Sequence, residues 1–169
     1  MYRLRFLLTI IKCLLSPKRG LLEDFEVNFL VIPLIDTDFT RLFTHSYSSY
    51  MAICRWHFLF NSELRSAALK KRWVPVTTSE TIEYKKSIKA LDRVRVRTKL
   101  LYWNDKRFYL EHSFLVGGNL HAQCYVEGLV RGPSGILEPP LVFQTLGLQQ
   151  KSPEMPVDIE KWFNLKSEL

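Results

Sequence analysis

The order of patterns along the chain predicts an α+β fold, an antiparallel sheet of about five to six strands curled around one long buried helix. Three observations carry this expectation. Residues Tyr47 to Phe60 (YSSYMAICRWHFLF) are apolar nearly all round, which marks a helix enclosed on every side. Arg93 to Leu100 alternates strictly: Val94, Val96, Thr98 and Leu100 share one face, and Arg93, Arg95, Arg97 and Lys99 the other, as in a half-buried strand. Further strand-like runs follow the helix in close succession with turn residues between them, which is a meander packed on that helix.

The N-terminal segment, residues 1–20 (MYRLRFLLTIIKCLLSPKRG), predicts an amphipathic helix. Its apolar run, Phe6 to Leu15, is too short to span a bilayer and is broken by Lys12. No small-residue cleavage site follows it. On a helix Arg5, Thr9 and Lys12 share one face, with Leu4, Leu7, Leu8, Ile11, Leu14 and Leu15 over the rest, and Pro17 stops it. Such a helix suits a membrane surface, and it equally suits docking on the domain's own core or on a second subunit.

Residues 21–148 make the main domain. Val27 to Pro33 reads as its first strand, and Ser62 can cap a short second helix, Glu63 to Lys71. Trp73 to Thr77 and Thr81 to Ile88 read as two strands, with Pro75 placing the first at an edge or a bulge. After Arg93 to Leu100, Trp103-Asn104-Asp105-Lys106 turns the chain and Phe108 to Val116 returns. Gly117-Gly118-Asn119 makes a tight hairpin into the last long strand, Leu120 to Arg131. Residues 149–169 form a Pro-containing tail with a short helix, Val157 to Phe163.

With 169 residues, 47% of them hydrophobic, the chain can bury one substantial core. The net charge of +7 favours an anionic partner, whether nucleic acid, anionic lipid or a phosphorylated small molecule. The arginines lack aromatic stacking partners on their own face, which counts against nucleic acid. Three cysteines, Cys13, Cys54 and Cys124, have no CxxC or zinc spacing and fit a reducing, cytoplasmic setting with buried thiols. No two histidines have metal-ligand spacing, so neither a metal nor another cofactor is expected. Ser46, Ser48 and Ser49 make no G-x-S-x-G elbow. Cys54, His57 and His112 fall at core positions and are expected to be structural, while His121 faces the other way.

The stretch with chemistry is Asp36 to Tyr50, DTDFTRLFTHSYSSY, between the first strand and the buried helix. It holds two carboxylates, a histidine and a cluster of hydroxyls. A strand-to-helix junction can aim side chains and free backbone N–H groups at a ligand, and the same residue types also serve simply as turn and cap.

Three words in the chain sharpen this: WVPV (Trp73 to Val76), RTKLLYWNDKRFYLEH (Arg97 to His112) and LVRG (Leu129 to Gly132). With the element order, they resemble the hotdog-fold acyl-CoA thioesterases, specifically the 4-hydroxybenzoyl-CoA thioesterase-like group with an N-terminal apolar helix (the thioesterase superfamily member 6 type). The resemblance implies a hotdog homodimer or dimer of dimers and hydrolysis of an acyl-CoA to free acid and coenzyme A at the start of the buried helix. In that family a D-x-D leads into His-x-Asn-Asn, the second Asp acting on water or thioester while helix N–H groups polarise the carbonyl.

Here the motif is altered. Counted from the strand, the active acid falls on Asp38; counted back from Tyr50, it falls on Thr40, with Thr44 at the family histidine and Ser46 and Tyr47 at the asparagines. About three residues are inserted. If they follow Asp38 the acid survives and His45 can take the histidine's place. Backbone N–H groups near Ser46 to Ser49 would form the oxyanion site, with Tyr47, Ser48 and Ser49 contacting the substrate. The basic set Lys85, Lys86, Arg93, Arg95, Arg97, Lys99 and Arg131 could hold the phosphates of coenzyme A, or form a solvated strand face. Two other readings stand beside hydrolysis: a catalytically impaired hotdog protein that binds acyl-CoA or lipid at a membrane surface, and a hydratase pairing Asp38 with His45.

Overall fold

The computed structural model of the chain describes residues 2–38 and 40–167. In chain order its elements are α1 (Tyr2–Leu15), β1 (Phe25–Leu30), α2 (Thr44–Asn61), α3 (Arg65–Lys71), β2 (Val74–Tyr84), β3 (Arg93–Trp103), β4 (Phe108–Val116), β5 (Asn119–Gly132), β6 (Gly135–Leu137), α4 (Pro139–Leu146) and α5 (Val157–Ser167). The strands form one antiparallel sheet in the order β1-β3-β4-β5-β2, with β6 beside β5. The sheet curls around α2. Val94, Val96, Thr98 and Leu100 of β3, Leu110, His112 and Phe114 of β4, and Ala122, Cys124 and Val126 of β5 are all buried. They share the core with Tyr47, Tyr50, Met51, Cys54 and Phe58 of α2. Burying each large apolar side chain contributes about 1.5–3 kcal/mol, so this helix–sheet layer dominates the fold.

The strict alternation of β3 is visible in its burial, with Arg93 and Arg95 exposed between buried Val94 and Val96. Gly117 and Gly118 turn the β4–β5 hairpin with φ of +57° and +83°, the paired positive values of a tight two-residue turn. The two strands expected at Trp73–Thr77 and Thr81–Ile88 are one strand, β2, with its register shifting between Thr77 and Ser79. A bulge absorbs the irregularity without ending the ladder, and Pro75 is accommodated because β2 is a sheet edge. Opposite the bulge a Cβ on Gly128 would lie 3.0 Å from the Val76 carbonyl oxygen, so the backbones approach there only because Gly128 has none.

Two boundaries and one helix differ from expectation. Helix α2 begins at Thr44, not Tyr47, because the Asp36 carbonyl accepts the Phe43 N–H (2.8 Å) and the Ser46 hydroxyl (3.0 Å), tying down an extra turn. Helix α4 was hidden by Pro139-Pro140, which start it; proline costs nothing in a first turn, where N–H groups have no partner. Strand β1 starts at Phe25, and its burial falls on Phe25 and Phe29.

Helix α1 packs on α2 through Phe6, Ile10 and buried Cys13, with Phe6 edge-on to Trp56 (ring centroids 5.5 Å apart). Its Arg5 turns inward, while Leu4, Leu7, Leu8, Ile11, Leu14 and Leu15 are exposed. The polar side chains at positions 5 and 9 therefore lie toward the protein and the leucines away from it, the reverse of a helix docked by its leucines. At the other end α5 covers β4 and β5: Ile159 is fully buried and the Tyr125 hydroxyl donates to Asp158 (3.0 Å). Among the described residues, no helix is long and apolar enough to cross a membrane.

Candidate functional site

The connection from β1 to α2 carries the site. Its first carboxylate, Asp36, is buried and fully engaged. Arg5 donates two hydrogen bonds of 2.7 Å to its two oxygens, and the Ile32 N–H donates a third at 2.7 Å. Arg5 also donates to the Leu30 carbonyl (2.7 Å) and lies 5.3 Å from the centroid of the Tyr50 ring. Burial pushes the Asp36 carboxyl up, but the Arg5 hydrogen bonds and the Ile32 N–H outweigh it, and the group ends below the ordinary carboxylate range. A carboxylate locked in this way orients backbone; it has no oxygen to spare for a substrate. Its carbonyl in turn holds Phe43 and Ser46, so Arg5, Asp36 and Ser46 together set the start of α2.

The second carboxylate, Asp38, is exposed. A bridge between Thr37 and Leu42 and a hydrogen bond from the Asp38 N–H to the Arg41 carbonyl (3.0 Å) close a tight loop around it. Asp38 Oδ1 accepts the N–H groups of Thr40 and Arg41, each at 2.7 Å, and the Thr40 hydroxyl at 3.4 Å. Those two N–H groups hold its carboxyl below the usual range, so it is ionised at neutral pH. All its hydrogen bonds among the described residues fall on Oδ1, and Oδ2 takes no part in the loop's own network. The Thr40 hydroxyl thus serves Asp38.

At the helix start the three serine hydroxyls are engaged, while the buried Thr37 hydroxyl has no hydrogen-bond partner among the described residues. Phe43, at the N-cap, makes no side-chain cap, so the first N–H groups of α2 are left without one. His45 is exposed and stacks on Phe43, ring centroids 5.0 Å apart. Ser46 is buried on the Asp36 carbonyl, Ser48 donates to Glu80 Oε1 (2.6 Å) and Ser49 to the His45 carbonyl (3.0 Å). Tyr47 is buried against Tyr84 and Phe114, and burial pushes its hydroxyl up to about 12, keeping it protonated. Asp38, Thr40, His45, Ser46, Tyr47, Ser48 and Ser49 are therefore brought to one end of α2.

Arg95, Arg97 and Arg131 are not. Arg95 and Arg97 alternate with the core residues of β3 and so project from the face of the sheet away from α2. There Arg95 pairs with Glu26 (3.7 Å), and Arg97 with Glu26 (3.3 Å) and Asp24 (3.9 Å). Arg131 is exposed beside Val74 and Ile136 at the far end of β5. Two residues that local patterning did not single out complete the picture. Arg5 was visible only as part of a polar stripe on α1, and nothing local tells that it reaches Asp36, thirty-one residues on. Glu80 has no local mark either; its contact with Ser48 arises because β2 runs alongside the start of α2.

Away from this end, Thr98 and His112 form a buried pair (2.8 Å) with the imidazole held well below its usual pKa by burial. Among the described residues no cluster of three or more His, Cys, Asp or Glu side chains is placed to hold a metal ion.

Comparison with known proteins agrees with this architecture. The model of the thioesterase-like superfamily matches residues 33–163. A curated relative, protein THEM6 of Xenopus laevis, is 27% identical over 168 residues, covering 95% of this chain and 78% of that protein. Among solved structures, a gentisyl-coenzyme A thioesterase superposes with a TM-score of 0.59 at 23% identity, over 72% of this chain and 98% of that one. The Staphylococcus aureus protein SAV2348, solved in complex with CoA, superposes with a TM-score of 0.64 at 14% identity, over 85% and 94%. These neighbours share the hotdog fold: a curled antiparallel sheet with a helix in its concave face.

Proposed function

The chain belongs to the thioesterase-like superfamily, whose chemistry is thioester hydrolysis, and we propose that it cleaves an acyl-coenzyme A thioester with Asp38 as the reacting carboxylate. The observation that carries this is the division of labour between the two acids: Asp36 is consumed by Arg5, while Asp38 is ionised, exposed and keeps Oδ2 outside the loop's hydrogen bonds. Closure of the tight loop between Thr37 and Leu42 supports placing the extra residues after Asp38, with Thr40 as its hydrogen-bond donor. Asp38 would act as general base on water or attack the carbonyl carbon itself. The uncapped N–H groups at the start of α2 would hold the developing oxyanion, a contribution of about 3 kcal/mol per donor in such sites. His45 would stand beside the leaving group, and Ser46 would keep the first turn in place. The test is hydrolysis of an acyl-CoA panel by purified wild type and Asp38→Asn: kcat is expected to fall about a hundredfold or more. Unchanged turnover in the variant removes Asp38 from the chemistry.

A second reading, a non-hydrolytic protein that binds acyl-CoA or lipid at a membrane surface, draws on α1. Six exposed leucine and isoleucine side chains on that helix stand with Arg3 and Lys12 and suit an anionic lipid surface. Tight binding of a non-hydrolysable acyl-CoA thioether without turnover of any thioester would favour it. In either reading the free edge of β2 is the natural seam for a homodimer, since an unpaired edge strand is a template for a second copy.

A further inference from the structure

Two clusters of basic residues differ in their electrostatic surroundings. Arg95 and Arg97 line, with Arg93, a hollow of about 700 Å³ on the outer face of the sheet, and their carboxylate partners are Glu26 on the neighbouring strand β1 and Asp24 just before it. Arg41, Lys85 and Lys86 line a second groove, of about 350 Å³, between the start of α2 and the end of β2. That volume lies in the range of small-molecule sites, roughly 300–1,000 Å³. No carboxylate lines this groove; its other polar walls are the hydroxyl-bearing Thr44, Tyr47, Tyr84 and Ser87. Among the described residues neither Arg41 nor Lys86 forms an ion pair, and Lys85 shares a single one with Glu83 (3.0 Å). Three cations that converge on one cavity with a single carboxylate partner among them, Glu83 on Lys85, carry a standing cost of like-charge repulsion, which an anion entering the groove would relieve.

We propose that this groove is the phosphate site of the protein, and that it holds the phosphate groups of coenzyme A while the thioester lies at the adjoining end of α2. The proposal rests on the acyl-CoA reading above. Two features support a phosphate ligand in particular. A guanidinium, two ammonium groups and hydroxyl donors match phosphate oxygens, which accept several charge-assisted hydrogen bonds at once. The groove also shares Thr44 and Tyr47 with the first turn of α2, so a ligand anchored there by its phosphates has its remaining length directed along the candidate reacting end. The outer-face arginines lie across the sheet from that end and already hold carboxylates.

The test is binding of 3′-phosphoadenosine 5′-diphosphate, the nucleotide half of coenzyme A, by calorimetry at fixed salt, together with steady-state kinetics. The double variant Arg41→Gln/Lys86→Gln is expected to weaken nucleotide binding at least about tenfold, the loss of one charge-assisted hydrogen bond or more. The same double change at Arg95 and Arg97 is expected to leave the nucleotide Kd within about twofold, as for exposed charges already paired. The ratio of kcat/KM for an acyl-CoA to that for the matching acyl-N-acetylcysteamine thioester, which carries no phosphate, should fall with the groove variant. Weakening by the outer-face variant equal to or greater than that by the groove variant overturns the proposal, as does wild-type protein that turns over the short thioester but binds no nucleotide. Wild type that binds the nucleotide through the groove yet hydrolyses neither thioester upholds the phosphate site and sinks the hydrolase reading instead.

Discussion

Arg5 and Asp36 are joined by two parallel N–H···O hydrogen bonds of 2.7 Å each, and through them α1 is fastened to the loop that starts α2. Side-chain exposures of 15% and 7% mark the pair as shielded, so its loss is costly in a way a surface pair is not. Arg5→Ala strands the Asp36 carboxylate and is expected to destabilise the protein by about 3 kcal/mol. Arg5→Lys keeps the charge but cannot form the fork, and should cost less. Urea unfolding checks this: the midpoint should shift in the order Ala, then Lys, with an unchanged m-value. Equal midpoints for wild type and Arg5→Ala would show that the fork does not stabilise the fold.

His57 predicts acid sensitivity of a definite sign. Burial in α2 against Phe25, reinforced by Lys12 and Arg19, pushes its imidazole down to about 4 from an ordinary 6.5. The unfolded chain therefore takes up a proton that the folded chain refuses. Stability is full above pH 6.5 and declines as pH falls from 6.5 toward 4, by at most about 1.4 kcal/mol for each pH unit. His112, also held down by burial, contributes with the same sign. In His57→Phe the decline over this window should be shallower by about one group's share. Thermal melts at a series of pH values decide it; a slope identical to wild type would mean His57 is protonated in the fold.

Arg55 is half-buried on α2, and its Nη1 is shut off from solvent without a hydrogen-bond partner. Burial lowers its pKa, only partly offset by Glu80. A guanidinium with one buried, unsatisfied nitrogen, in the wall of a cavity that Phe58, Leu100 and Leu110 also line, costs more than it contributes. Arg55→Met, similar in length and apolar, is expected to raise stability by about 1 kcal/mol. A loss of stability on this change, read from the denaturation midpoint, would show that Arg55 has a partner in the assembled protein.

How much of this was legible differs between elements. Burial of α2 and the alternation of β3 could be read directly because both are repeated facts about a few adjacent side chains. The Gly117-Gly118 turn was legible because only certain residues adopt positive φ cheaply. Helix α4 was not, since Pro139-Pro140 serves equally as a breaker and as a helix start, and burial of Val142 and Phe143 decides between them. Asp36 and Asp38 are chemically the same in the sequence. Only the arrival of Arg5 from helix α1 makes one structural and leaves the other exposed.

The same holds for the basic residues. Sequence alone determined the sheet around a buried helix, the net positive charge and the small set of residues near the start of α2. Periodicity and composition are properties of neighbouring residues, and they survive without knowledge of the rest. The tertiary structure decided which acid is free, which cations are neutralised by Asp24 and Glu26, and which converge on one groove with only Glu83 beside them. Those outcomes depend on hydrogen bonds and Coulomb contacts over a few ångströms between segments tens of residues apart, distances that only the folded backbone sets.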